Sequence, residues 1–158
     1  MIQFFPQYLV AVIGLGVGAA AGIVLAAAMR RRPADANRLV ASDAWIAVPL
    51  LLAAAGAHLV LMRVVEQQQQ MLFGLYGVGL LVTVALGAAG WRIWRLGAVL
   101  LPLGSILAYG YFAGREHGAD VVGLVVKVVE LAAIGAALWP VLSARRQTQQ
   151  RRRSISTG

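Results

Sequence analysis

Cysteine is absent from the 158 residues of this chain. Its absence excludes disulfides, thiolate metal centres and a cysteine nucleophile. Charge is scarce too. Asp, Glu, Lys and Arg make up 13% of the residues against 60% hydrophobic ones, which is not the composition of an ordinary soluble domain. Six residues are acidic, and lysine occurs once, at Lys127. No paired carboxylates, Ser–His pair or metal-ligating cluster converge at one depth of the chain, so the sequence points to no enzymatic activity and no bound cofactor. The run Gly14-Leu15-Gly16 lies within an apolar stretch and lacks the strand-to-helix setting of a phosphate loop.

What the chain does have is apolar length. A hydrocarbon core of roughly 30 Å takes about 20 helical residues to cross. Stretches of that kind run from about Tyr8 to Ala28, Ala44 to Val65, Met71 to Gly90, Leu96 to Phe112 and Val121 to Leu142. They predict an all-α, polytopic membrane protein: a bundle of five transmembrane helices over residues 1–142, followed by a basic tail over 143–158. The fourth stretch is the shortest and carries Pro102, whose freed carbonyl would need a neighbouring helix. Ala26-Ala27-Ala28 resembles a signal-peptide cleavage site. The uncharged start Met1–Gln7 and the following Arg30-Arg31-Arg32 fit a retained anchor instead.

The formal net charge of +8 is distributed by topology. Eleven of the fourteen basic residues fall on one side when the five stretches are threaded across a bilayer: Arg30, Arg31, Arg32, Arg38, Arg92, Arg95, Arg145, Arg146, Arg151, Arg152 and Arg153. The positive-inside bias makes that side cytoplasmic, giving an outside N-terminus and a cytoplasmic C-terminus. Aromatic residues sort with the same parity. Trp45, Trp91, Trp94 and Trp139 fall near one interface, and Tyr8, Tyr76, Tyr109 and Tyr111 with Phe4, Phe5, Phe73 and Phe112 near the other. Basic residues that flank apolar spans argue against nucleic acid as a partner. The Arg-, Ala- and Gly-rich composition suggests a bacterial cytoplasmic membrane.

Small residues supply the packing clue. Gly14, Gly18, Gly22 and Ala26 recur every fourth residue and make one smooth face of the first helix. Helices in lipid associate by close backbone approach, which such faces permit. Gly79, Thr83 and Gly87 repeat the spacing on the third helix, so the two faces could meet within the bundle, or the first could dock onto another subunit. Gln67–Gln70 read as a polar turn between the second and third spans. The tail, with Arg145, Arg146, Arg151, Arg152 and Arg153, should be disordered by itself. Its arginines would hold it to anionic lipid at about 1 kcal/mol each, or to a partner.

Three ionisable residues lie deeper. Lys127 and Glu130 are three apart on the fifth span, hence on one face, and His58 is on the second. Counted at 1.5 Å per residue, Lys127 and His58 lie roughly 10 Å and Glu130 about 15 Å below the outer surface. Arg63 is near enough to an end to snorkel. One reading is structural: Lys127 pairs with Glu130, and His58 donates to a nearby carbonyl. The other makes Glu130 a proton acceptor and His58 its relay outward. Against the second, Leu131 to Trp139 contains no titratable group. Haem ligation would need His58 and His117 at one depth, yet His117 lies in the loop Gly114–Gly118. Glu116, His117 and Asp120 make a weak metal pattern.

The expected function is a non-catalytic accessory subunit of a larger membrane complex, an energy-converting one being a candidate. It would dock through the glycine face and the basic tail, with other integral membrane subunits and anionic lipids as partners. The alternative is a small proton-linked transporter or channel built on Glu130, Lys127 and His58. A haem- or quinone-binding anchor comes third.

Overall fold

The computed structural model describes residues 5–31, 44–65, 67–113 and 121–156, with 144–156 described as helical backbone. They form α1 (Phe5–Arg30), α2 (Ala44–Leu61), α3 (Gln67–Ala88), α4 (Trp94–Phe112) and α5 (Val121–Ser156). Each of the five contains a segment long and apolar enough to cross a membrane, as in a multi-pass membrane protein, and no strand occurs among the described residues. Helix is the form such segments must take, because lipid offers no hydrogen bonds and each backbone group has to be satisfied within its own segment.

Several boundaries differ from the sequence expectation, each for a local reason. α2 stops at Leu61, and the chain turns over 62–65 with tight bonds such as Val64 N–H to the Leu61 carbonyl at 2.9 Å. The glutamines expected in a turn form the start of α3 instead, and the Gln70 side-chain amide donates back to the Val65 carbonyl at 3.1 Å. The far end of α3 closes in a Schellman arrangement. Gly90 has φ 83°, its N–H bonds to the Gly87 carbonyl at 3.1 Å, and Trp91 N–H bonds to the Leu86 carbonyl at 3.0 Å. Only glycine takes that backbone conformation without strain. α4 runs unbroken through Pro102 for 19 residues.

The largest difference lies after Ser143. The segment expected to be a disordered tail continues α5 to Ser156. Extending an existing helix carries no nucleation cost, and Ala, Arg and Gln are good helix formers. At 1.5 Å per residue the continuation adds about 20 Å beyond the apolar part of α5.

Packing makes α2 the hub. It contacts α1, α3 and α5, while α3 meets α4 and α4 meets α5. The helices α2 to α5 thus close into a ring, and α1 lies outside it against α2, touching α5 only slightly. Neighbours run antiparallel: Gly14, Gly18 and Gly22 face Gly56, Leu52 and Pro49 in reverse order. One end of the bundle therefore collects Arg30, Arg31, Arg92 and Arg95, and the other collects the turn at 62–65 and the ends of α4 and α5 near 112 and 121.

Alanine dominates the apolar interior. Ala11, Ala47, Ala54, Ala55, Ala57, Ala98, Ala133 and Ala137 are fully buried, whereas Leu9, Val17, Val24, Leu72, Leu100 and Leu131 are exposed. Lipid tails are as apolar as a leucine side chain, so large residues gain nothing by turning inward, and small ones let backbones approach.

The glycine face of α1 is consumed by this rule. Gly14, Gly18, Gly22 and Ala26 are all buried, the three glycines against α2 rather than against α3. A β-carbon on Gly14 would lie 2.5 Å from the Gly56 carbonyl oxygen, and one on Gly18 would collide with the Leu52 carbonyl. The face packs within the chain, against its second helix and not its third. α3 uses its matching face on α4, where Gly79 meets Leu101 and Thr83 meets Gly97.

Gly18→Leu should destabilise the bundle by about 2 kcal/mol or more, since backbone on the facing helix cannot move aside. Gly16→Leu should stay within about 0.5 kcal/mol of the parent, because a β-carbon there meets nothing within 4 Å. Thermal unfolding of both variants in one detergent checks the contrast.

Candidate functional site

Among the described residues the ring of helices encloses a polar cluster centred on Glu130. This carboxylate has no exposed surface, on a face of α5 that continues through the buried Val126, Ala133 and Ala137. Its Oε1 accepts a hydrogen bond from the Tyr76 hydroxyl of α3 at 2.8 Å and from the Ser105 hydroxyl of α4 at 3.1 Å. Its Oε2 accepts from Lys127 Nζ at 2.8 Å, one turn earlier on α5. Lys127 Nζ also donates to Ser105 Oγ, so Lys127, Ser105 and Glu130 form a closed triangle. The lysine ammonium lies 5.8 Å from the centre of the Tyr109 ring, a cation–π distance.

His58 of α2 completes the cluster. Its Nδ1 is 2.8 Å from the Ala54 carbonyl oxygen, one turn back. A carbonyl only accepts, so Nδ1 carries a proton, and in the neutral ring Nε2 is left as an acceptor. Nε2 stands 3.7 Å from Glu130 Oε1, beyond hydrogen-bond range. The imidazole is flanked by Tyr76 with ring centres 4.4 Å apart and by Phe73 at 5.3 Å.

Four helices thus each place a side chain on or beside a single carboxylate. His58, Lys127 and Glu130 were singled out in the sequence, and the structure brings them together. Tyr76 and Ser105 were not. Tyr76 had been assigned to an interfacial aromatic belt, but its hydroxyl points inward onto Glu130. Its signal in the sequence is position: nine residues into α3, it is as deep as Glu130 is in the parallel α5. Ser105, a lone hydroxyl in an apolar span, could have been flagged by the same rule that flags charges. Trp94 also leaves its belt, being 1% exposed where Ala44 and Gly87 make room for it. Trp91 and Trp139 stay outward, and Arg30 stacks over the Trp45 ring at 4.6 Å.

Arg63 is exposed in the turn after α2 rather than within a helix. Arg115, Glu116, His117 and Asp120, and with them the loop metal pattern and the second haem-ligand candidate, lie outside the described residues, as do Arg32, Arg38 and Glu66. Among the described residues no group of three His, Asp or Glu side chains is placed to hold a metal ion. Comparison with protein-family models, curated proteins and solved structures finds no match to this chain.

Chemically, the arrangement is a compensated ion pair. Lys127 and Glu130 form an ion pair through Oε2, and the two hydroxyls both bond Oε1. Removing one charge of such a pair costs more than the pair is worth, because the other is left buried and unmatched. Lys127→Met should therefore destabilise the bundle by about 3–5 kcal/mol. Combining it with Glu130→Gln should recover most of that loss. Unfolding midpoints of the two single variants and the double variant, in one detergent, check this.

Proposed function

We propose that this chain is a non-catalytic subunit of the bacterial cytoplasmic membrane, a lipid-embedded scaffold that associates with other integral membrane proteins. The observation carrying this reading is that Lys127, Ser105, Tyr76 and Glu130 are spent on one another. Lys127, Ser105 and Tyr76 all converge on Glu130, and the carboxylate is wholly buried. A transporter needs its polar groups to continue toward the second side. Beyond the cluster, α2 from Ala44 to Ala57, α3 from Gly77 to Ala88 and α5 from Leu131 to Leu142 contain no titratable side chain. That gap weighs against the proton-linked carrier.

With the glycine face filled by α2, association falls to other surfaces. α1 presents Leu9, Val12, Ile13, Val17 and Val24 outward, and the helical continuation of α5 carries Arg145, Arg146, Arg151, Arg152 and Arg153. The arginines suit anionic headgroups or an acidic partner on the cytoplasmic side.

Orientation is directly testable, because a chain without cysteine gives no background labelling. A single cysteine at Arg63 should react with an impermeant maleimide in intact cells, and one at Arg92 only after permeabilisation. For association, replacing the five arginines of the α5 continuation by glutamine should leave the unfolding midpoint unchanged. It should also lower recovery of co-purifying membrane proteins at least tenfold in mild detergent. Recovery equal to the parent, or a parent that purifies alone, would remove the subunit reading. In reconstituted vesicles, proton flux that depends on Glu130 would restore the carrier.

A further inference from the structure

We propose that the gap between His58 Nε2 and Glu130 Oε1 is a proton-binding site, and that its occupancy sets how tightly α2 is drawn onto α5. The Ala54 carbonyl holds the imidazole proton on Nδ1, which leaves the Nε2 lone pair near an anionic oxygen at 3.7 Å. Two acceptors separated by that distance attract each other only through a proton. One proton taken from water onto Nε2 makes an imidazolium, and the pair closes to an N–H···O bond of about 2.7–2.9 Å. The cluster passes from neutral, with Lys127 balancing Glu130, to a single positive charge. Glu130 Oε1 already accepts two hydrogen bonds, so the longer one, from Ser105 at 3.1 Å, is the one positioned to yield.

Burial and the nearby Lys127 cation oppose the added charge, so Glu130 and the flanking rings have to supply what favours it. The rings of Tyr76 and Phe73 flank the imidazole with centres 4.4 and 5.3 Å away, and aromatic faces attract cations. Among the described residues the groups facing the site are few. α3 contributes Tyr76; α5 contributes Glu130 and the opposing cation Lys127; and α4 contributes Ser105, with Tyr109 behind the lysine. α1 has no titratable side chain between Tyr8 and Arg30. The cluster lies toward one end of the bundle, His58 being three residues from the end of α2. Protons reach it from that end and find no continuation, so the site binds and releases without translocating. This holds whether or not the chain docks into a larger assembly.

The chain has two histidines, so in a His117→Gln background His58 is the only one reporting. The experiment is nitrogen-15 NMR of the imidazole in the full-length protein, in phosphatidylcholine nanodiscs, from pH 9 down to pH 4. The expected result is the Nδ1–H tautomer at high pH and protonation of Nε2 on acidification. With Glu130→Gln added, the doubly protonated fraction at the acid end should fall at least tenfold. An Nε2–H tautomer at high pH would overturn the proposal, as would an imidazole that never gains a second proton or one indifferent to Glu130. If the Glu130→Gln protein does not fold, the tautomer and its titration in the parent background decide the question by themselves.

Discussion

A carboxylate inside an apolar bundle has to be matched by the side chains around it, because neither lipid nor water will solvate it there. Around Glu130 that requirement is met by a cation one helical turn away and by hydroxyls from two other helices, with a histidine from a third close by. Each partner is useful at one depth only. The cluster therefore sets the axial register of α2, α3, α4 and α5 together, something leucines sliding on leucines cannot do. Apolar contacts in lipid carry little preference for register, whereas a displaced hydroxyl or ammonium leaves a buried charge unmatched.

The second organising constraint is the size of side chains. Where backbones come closest, at Gly14 to Gly56 and Gly18 to Leu52, one more carbon atom has no room. This seam joins α1 to α2 and nothing comparable joins α1 to the rest, so α1 stands outside the ring as an appended helix. The structure combines two kinds of adhesion: a polar cluster that sets the ring, and close small-residue packing that attaches α1 to it. The outward surface is left to leucine, valine and isoleucine, which suit lipid and apolar partner helices equally.

Much of the fold is legible in the sequence because crossing a membrane leaves little freedom. Apolar length specifies the number of helices and their positions to within a few residues, and the end of α3 is announced by Gly90. Helix ends defined by hydrogen bonds rather than by hydropathy are less readable. α2 stops at Leu61 and the glutamines join α3, since polar residues are as content in a first helical turn as in a loop. The helical continuation through Ser156 escapes a compositional argument, because disorder is judged on isolated segments and this one grows from a helix already formed.

Of the central cluster, Lys127 and Glu130 are legible as a pair because three residues of helix put them on one face. His58 is legible only as an anomaly, since nothing in a linear chain says that α2 turns its histidine toward α5. Tyr76 and Ser105 are invisible as cluster members, because tyrosine and serine are ordinary in a membrane helix until a carboxylate is found beside them. The glycine pattern on α1 declares close packing without declaring a partner. The sequence by itself determined what must be buried, what must be paired and how many times the chain can cross a bilayer, because these follow from the solvation of individual residues. Only the tertiary structure decided which helix meets which and whose hydroxyl reaches the carboxylate, because those depend on contacts between residues as far apart as Tyr76 and Glu130.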